Sequence, residues 1–269
     1  MTTPGRLDVA DLERRVQDVY QQVADEPHRT YHFEMGAALA RRLGYPEDLL
    51  DSIPAEALES FAGVGYFLDL AAPQAGERVL DLGSGSGTDS FAAAALVGTT
   101  GAVTGIDMTP AQLAKAARLR VAAGLERVRF VEGRIDNVPM PGGSCDLVIS
   151  NGVINLAADK AAVFSEVARV LAPGGRLALA DIVSERPLAE SITCDAELWA
   201  ACVGGAAQID DYLGTIEKAG LRVDTTRDNT AYAFLSGSAR GATATYGIKS
   251  ISLLAIKPGT LDHIASVLG

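Results

Sequence analysis

The chain has 269 residues, of which 48% are hydrophobic, and it carries a formal net charge of −11 at pH 7. This length and composition suffice to bury a substantial core in one large domain, and the negative charge would repel phosphates, which argues against a nucleic-acid partner. No apolar run approaches the ~18 residues of a membrane span and the start of the chain lacks an apolar signal region, so we expect a small-molecule substrate and no membrane contact.

Three cysteines, Cys145, Cys194 and Cys202, form neither a paired framework nor a C-x-x-C motif. This usage favours a reducing, cytoplasmic location. No metal site is predicted, and a homodimer is compatible with the sequence.

About seventy residues precede the first predicted core strand. One face of a charged segment carries the apolar side chains expected of an amphipathic helix, namely Val9, Leu12, Val16, Val19, Tyr20 and Val23. A second helix is predicted around 33–43, and short helices start at Pro46 and Pro54. We expect residues 1–72 to form a helical cap over the active site.

From Arg78 onward, strand-like and helix-like patterns alternate. The strands are RVLDL, AVTGID, VRFVEG, CDLVISN and RLALADIV, followed later by LRVDTTRD and ISLLAIKPG. Such alternation is typical of a doubly wound α/β fold whose parallel sheet is covered on both faces. We therefore expect a core over residues 73–258 that includes a late insertion on the substrate side, and a C-terminal helix over residues 259–269, where the sequence reads LDHIASVLG.

The first predicted strand runs into a glycine-rich loop, VLDLGSGSGTD, at residues 79–89. Gly83, Gly85 and Gly87 lack a Cβ, so the turn can take positive φ and a ligand can approach the main chain. The following helix presents unpaired backbone N–H groups to that ligand, and we expect Thr88 or Asp89 to cap it.

The identity of the ligand follows from spacing and charge. The dinucleotide pattern G-x-G-x-x-G fails, because the sixth position is Thr88 when counted from Gly83 and Ser90 when counted from Gly85. Asp81 beside the loop would repel a diphosphate but suits a positively charged ligand. These features predict S-adenosylmethionine, whose ribose hydroxyls would be held by Asp107.

Ligands of open α/β sheets bind at the carboxyl ends of the strands. Four segments should therefore converge here, and from them we expect cofactor contacts from Asp81, Gly83, Ser84, Gly85, Asp107, Gly133, Ile135, Asp136 and Asn151. Asp136 could accept from the adenine amino group, or Ile135 could pack on the ring. Asn151 is expected where the methyl-bearing sulfur meets the substrate, although an asparagine there could be only a turn residue.

Over about residues 12–255 the chain resembles the class I S-adenosylmethionine-dependent methyltransferases, and among them the arsenite methyltransferase branch. The stretches that carry the resemblance are VLDLGSGSGTD, LVGTTGAVTGIDMTPAQL, VISNGVINLAADKAAVFSEVARVLAPGGRLALADI, ELWAACVGGA and SARGATATYGIK. The resemblance implies a Rossmann-like sheet of seven strands with the last antiparallel. It also implies that Met108 joins the cofactor site.

The chain departs from that branch in its cysteines. Arsenite methyltransferases hold trivalent arsenic with several thiolates, but Gly152 stands at a cysteine position and the segment FAGVGYF supplies none. Cys202, in WAACVGG, is the one that survives. It could act together with external thiols such as glutathione, or it could be a small apolar residue packed near the pocket.

The missing thiols favour a small organic, aromatic metabolite as methyl acceptor, with oxygen, nitrogen or carbon as the nucleophile. Gly152 leaves room beside the reactive methyl, and we expect the acceptor to be bound by Tyr31, Phe33, Tyr66, Gly152, Asn155, Trp199 and Cys202. The candidates for a base or a hydrogen-bonding catalytic group are His28, His32 and Tyr20. Two alternatives remain open: arsenite or thiol methylation that uses Cys202, and a non-catalytic module that only binds the cofactor.

Overall fold

The computed structural model describes residues 9–193, 199, 203–235 and 237–259. In the described part of the chain, five helices precede the sheet: α1 (Val9–Asp25), α2 (Ala37–Leu43), α3 (Glu47–Asp51), α4 (Ala55–Glu59) and α5 (Leu68–Ala71). On α1 the buried members of the predicted stripe are Leu12, Val16 and Val23, whereas Val9 is exposed. The predicted helix around 33–43 begins only at Ala37, because Gly36 takes a left-handed φ of 93° immediately before it.

The rest of the described chain alternates strands and helices. In chain order these are β1 (Arg78–Leu82), α6 (Thr88–Val97), β2 (Ala102–Asp107), α7 (Pro110–Ala122), β3 (Val128–Glu132), β4 (Cys145–Asn151), a 3-10 turn (Ile154–Leu156), α8 (Lys160–Val170), β5 (Leu171–Ser184), α9 (Glu190–Thr193), β6 (Ala207–Gln208), α10 (Ile209–Lys218), β7 (Arg222–Asp228), α11 (Gly237–Tyr246) and β8 (Lys249–Ile256). The predicted C-terminal helix lies outside the described residues.

The strands form a single sheet in the order β3-β2-β1-β4-β5-β8-β7, with β6 beside β5. All pairs are parallel except those of β8, which runs antiparallel to both β5 and β7. The predicted α/β class and the antiparallel last strand are thus confirmed. The described sheet has eight strands rather than seven, because the two-residue β6 extends it next to Val183 and Ser184.

Apolar side chains cover both faces of the sheet. One face packs against the cap and α6, with Phe67 and Phe91 among its largest buried side chains. The other packs against α8 and α10 through Phe164 and Tyr212. Burial on both faces explains why the central strands read as nearly continuous apolar runs.

The site of ligand binding follows from the strand order. The chain moves outward from β1 to β2 and β3, and then returns to the other side of β1 at β4, which makes β1 and β4 a switch point. The cap segment after α4 is fixed above this point, because Ser250 Oγ of β8 donates to Val64 O (2.7 Å) and Ser252 Oγ donates to Tyr66 O (3.1 Å).

No described helix has the length and the apolar character that crossing a bilayer requires.

One buried polar contact in the second face is expected to matter for stability. Tyr212 donates its hydroxyl to Asp181 Oδ2 at 2.6 Å, and both side chains are buried. Tyr212→Phe should lower the free energy of unfolding by about 1–3 kcal/mol, because a buried carboxylate loses a hydrogen bond. Denaturant unfolding measures this loss. Tyr246→Phe is the control, since no hydrogen bond to its hydroxyl is found in the described part; equal effects of the two variants would contradict the prediction.

Candidate cofactor site

The glycine-rich loop between β1 and α6 has positive φ angles, which residues with a side chain adopt only with strain. Gly83, Gly85 and Gly87 have φ of 69°, 53° and 94°. A Cβ on Gly83 would lie 2.5 Å from Val153, and one on Gly87 would lie 2.7 Å from Phe130. Conformation and close packing therefore both require glycine here.

The predicted side-chain cap of α6 is wrong. Gly87 itself occupies the N-cap position, and no side chain accepts a hydrogen bond there. Thr88 instead donates to Ala57 O of the cap (2.9 Å), and Asp89 is drawn into buried contacts with Tyr45 and Asn151. Tertiary hydrogen bonds thus take both side chains away from the helix terminus.

A cavity of about 420 Å³ lies between this loop, α1 and the carboxyl ends of β1, β2 and β4. This volume is near the lower end of the ~300–1,000 Å³ range of small-molecule sites. All ten residues expected at the cofactor line the cavity: Asp81, Gly83, Ser84, Gly85, Asp107, Met108, Gly133, Ile135, Asp136 and Asn151. Their individual roles stay predictions.

Asp107, at the end of β2, organises the loop as well as lining the cavity. Its carboxylate accepts from the backbone N–H groups of Gly85 (2.9 Å) and Thr109 (2.8 Å). Burial raises the pKa of Asp107, and these backbone donors oppose the rise. A carboxylate held in this way presents its remaining lone pairs to the cavity.

Asp81 and Asp89 form a pair of buried carboxylates beside the loop. Asp81 accepts from Ser90 Oγ at 2.6 Å, and Asp89 accepts from the hydroxyl of Tyr45 and from Asn151 Nδ2 at 3.0 Å. Burial raises the pKa of both acids, and their mutual repulsion raises that of Asp81 further. Within the described ranges neither carboxylate has a lysine, arginine or histidine partner. A cationic ligand would therefore reduce the electrostatic repulsion between the two carboxylates.

The residues present fit S-adenosylmethionine. Two carboxylates suit its sulfonium and ammonium groups, and Asp107 suits a ribose. Ser84 also lines the cavity, and its Oγ is buried beside Gly105 without a hydrogen-bond partner in the described part of the chain.

Helix α1 covers the cavity and is held by polar contacts. Gln17 Nε2 donates to Met108 O, and Gln112 Nε2 donates to Tyr20 O, each at 2.8 Å. Gln112 Oε1 also accepts from Ser86 Oγ of the glycine loop at 2.5 Å. The sequence reasoning missed Gln112, although its place in the first turn after Asp107 was a usable signal.

Arg134 makes a second link between α1 and the core. Its guanidinium donates to both carboxylate oxygens of Glu13 at 2.7 Å, and to those of Asp136 at 2.9 Å. Hydrogen bonding to Arg134 lowers the pKa of Asp136. Both Asp136 oxygens are thus engaged by arginine, which favours Ile135 as the adenine contact.

Asn151 joins the core to the cap. Its Oδ1 accepts from Val64 N at 2.8 Å, while Nδ2 lies 3.1 Å from both Gly65 O and the Tyr45 hydroxyl, besides Asp89. The side chain is therefore fully engaged by protein. Asn151 is more than a turn residue, and it acts by positioning its neighbours.

Of the three catalytic candidates, Tyr20 alone lines the cavity. The His28 side chain is 82% exposed and lies 3.9 Å from Glu59, and His32 packs edge-on against Phe33 with ring centroids 4.7 Å apart. Neither histidine is among the lining residues, because the segment after α1 folds on itself outside the cavity. A histidine base is therefore not supported by this geometry.

The aromatic residues expected at the acceptor pack within the cap. Phe33 stacks on Tyr20 and Tyr31, with centroids 6.2 and 5.6 Å apart, and Tyr66 packs against Tyr45 at 4.8 Å. Tyr31, Phe33 and Tyr66 are not lining residues of the cavity. In this structure they connect parts of the cap.

Trp199 and Asn155 are both buried, and Trp199 packs in one cluster with Tyr20, Met108 and Leu156, which line the cavity. Trp199 packs with Leu12 and Val16, and its Nε1 donates to Thr193 O at 2.6 Å. The ammonium of Lys160 lies 5.2 Å from the indole centroid and donates to Asn155 O at 3.1 Å. Trp199 is thus packed against α1 and Lys160, and the roles of Trp199 and Asn155 at the acceptor stay predictions.

Gly152 was expected to leave space beside the reactive methyl group, but Val64 fills the space next to its Cα. Its φ is +70°, and a Cβ there would lie 3.0 Å from Val64 Cγ1. The two segments in which the arsenite branch is expected to carry cysteine thus meet here as a Val64–Gly152 contact. Cys202 lies outside the described residues, within which no three His, Cys, Asp or Glu side chains form a metal-binding group.

Comparison with known proteins agrees with this geometry. A family model described as a methyltransferase domain matches residues 73–220. An arsenite methyltransferase of Halobacterium salinarum is 41% identical over 188 residues, covering 70% of this chain and 48% of that protein. Another, of Aquipseudomonas alcaligenes, is 36% identical over 236 residues, covering 82% and 66%. The chain thus spans about half to two thirds of these curated relatives.

A solved structure supports the same likeness. The crystal structure of an arsenic(III) S-adenosylmethionine methyltransferase from Chlamydomonas reinhardtii superposes with a TM-score of 0.60 at 32% identity, covering 84% of this chain and 74% of that one.

The carboxylate pair predicts how ligand binding depends on pH. Raised pKa values mean that Asp81 and Asp89 hold a proton more readily than ordinary acids, and a bound cation must displace it. The affinity for S-adenosylmethionine, measured by calorimetry, should therefore fall about tenfold as the pH is lowered from 8 to 6. A thermal melt at each pH serves as the folding control, and a pH-independent Kd would contradict the prediction.

Asp107→Ala should weaken S-adenosylmethionine binding by roughly ten- to a hundredfold, because a charge-assisted acceptor is lost and Gly85 and Thr109 lose their anchor. Asp107→Asn keeps one acceptor oxygen and should lose less affinity. Equilibrium titration measures both variants. Unchanged affinity in Asp107→Ala would mean that the ribose is held elsewhere.

Proposed function

This chain belongs to the class I S-adenosylmethionine-dependent methyltransferases, and we propose that it transfers the methyl group of that cofactor to a small-molecule acceptor. The observation that carries the proposal is the cavity at the β1–β4 switch point, where Asp81 and Asp89 are buried without a cationic partner in the described part of the chain.

When bound, S-adenosylmethionine supplies a methyl group on a positively charged sulfur, so the protein has mainly to orient the reactants and exclude water. The glycine loop and Asp107 would hold the nucleoside. Helix α1 closes the cavity through Gln17 and Gln112. Among the described residues, Tyr20 lines the cavity and is the candidate for a hydrogen bond to the acceptor.

The relatives favour arsenite as acceptor over the aromatic metabolite expected from the sequence, since both curated relatives cited above are named arsenite methyltransferases. The modest cavity also fits a small acceptor better than a large one. Because Val64 and Gly152 supply no thiol, arsenic would have to be held by Cys202 together with external thiols.

A small organic acceptor is the second candidate. The packing of Val64 against Gly152 favours it, because this apolar contact adjoins Asn151 where a thiolate pair would otherwise stand. A nucleic-acid partner remains disfavoured by the net charge of −11. The cytoplasmic location and the homodimer stay predictions.

The two acceptors are separated by measuring the conversion of S-adenosylmethionine to S-adenosylhomocysteine. With arsenite and excess glutathione, the first candidate predicts turnover that depends on arsenite and is lost in Cys202→Ser, whereas Cys145→Ser, at the opposite end of β4, retains it. Cofactor binding without arsenite-dependent turnover would leave the organic acceptor, to be sought among aromatic phenols and amines. Binding without turnover on any acceptor would indicate a non-catalytic module.

A further inference from the structure

Asp89 occupies a position that its place in the sequence does not explain. It lies in the first turn of α6, yet its side chain does not cap that helix, and the residue is only 7% exposed. One carboxylate oxygen accepts from the Tyr45 hydroxyl and the other from Asn151 Nδ2. Three elements therefore cooperate to hold a carboxylate at the wall of the cavity.

The charge on this wall is unbalanced. Asp81 lies on the same wall and is 2% exposed, and both partners of Asp89 are neutral. Buried acids are normally paired with cations. The cavity of about 420 Å³ that both acids line is the space in which a cation could balance this charge.

Asp89 stands at the end of the cavity where the acceptor must arrive. Asn151, which donates to Asp89, accepts from Val64 N and donates to Gly65 O. The adjoining residues Phe61, Ala62 and Gly63 line the cavity. The sulfur that gives up its methyl group has to lie at this end, whereas the ribose lies toward Asp107.

Resting on the methyltransferase function proposed above, we propose that Asp89 recognises the positive charge on the cofactor's sulfur and so distinguishes S-adenosylmethionine from S-adenosylhomocysteine, which lacks it. Tyr45 is a positioning residue in this arrangement. Its buried hydroxyl stays protonated, because burial and the nearby Asp89 raise its pKa well above the usual value, and it therefore keeps donating to the carboxylate.

Calorimetric titration of the full chain with three ligands tests the proposal. S-adenosylmethionine carries the sulfonium, sinefungin carries an ammonium at the corresponding place, and S-adenosylhomocysteine is uncharged there. In Asp89→Asn, the affinity for the first two should fall roughly ten- to a hundredfold, as expected for a lost charge-assisted contact. The affinity for S-adenosylhomocysteine should change less than about threefold.

Two further variants make the result specific. Asp146→Asn removes an acid that is paired with Arg78 at the opposite end of β4, and it should leave the ratio of affinities unchanged. Tyr45→Phe should shift the ratio in the same direction as Asp89→Asn but by less, and it provides a test if Asp89→Asn does not fold.

Equal losses for all three ligands would overturn the proposal, since they would give Asp89 a merely structural role. An unchanged ratio in Asp89→Asn would overturn it as well. If the unaltered chain binds none of the three ligands, the proposed methyltransferase function itself fails. That outcome differs from a failure of the Asp89 proposal, in which the unaltered chain binds the ligands but Asp89→Asn does not change the ratio of their affinities.

Discussion

The burial of two carboxylates at one point is the constraint on which the site depends. Asp81 is the penultimate residue of β1 and Asp89 lies in the first turn of α6, so the strand–loop–helix unit brings both to the same wall. Such a pair is costly without a cation, and hydrogen bonds from Ser90, Tyr45 and Asn151 offset part of that cost. The remaining imbalance is the feature that a cationic cofactor would use.

The same contacts join the cofactor side of the cavity to its acceptor side. Asn151 binds both Asp89 and the backbone of the cap segment at Val64 and Gly65, and β8 holds that segment through Ser250. Hydrogen bonds to two strands therefore hold this cap segment in place beside the cavity. Helix α1 is held over the cavity by hydrogen bonds from Gln17 and Gln112, by the Arg134–Glu13 ion pair and by apolar packing against Trp199.

The elements of the core and the cofactor wall could be predicted from the sequence because their signals are local. Strand ends, glycine spacing and the acid at Asp107 occur within a short stretch, and the α/β sheet fixes where they meet. The histidines and aromatic residues of the cap could not be placed in this way. His28 and Phe33 lie in a segment without helix or strand, where no periodic pattern indicates the course of the chain, and the role of Asp89 depends on Tyr45, 44 residues earlier.

The Val64–Gly152 contact shows why cysteine counting alone does not decide the acceptor. Gly152 has a left-handed φ that costs other residues about 1–2 kcal/mol, and any side chain there must also displace the methyl groups of Val64. A cysteine at 152 would thus be strained, and the Val64 side chain would have to shift by a few tenths of an ångström. Within the described residues this contact carries no thiol, so a thiol-based site beside it would need cysteines or external thiols from elsewhere.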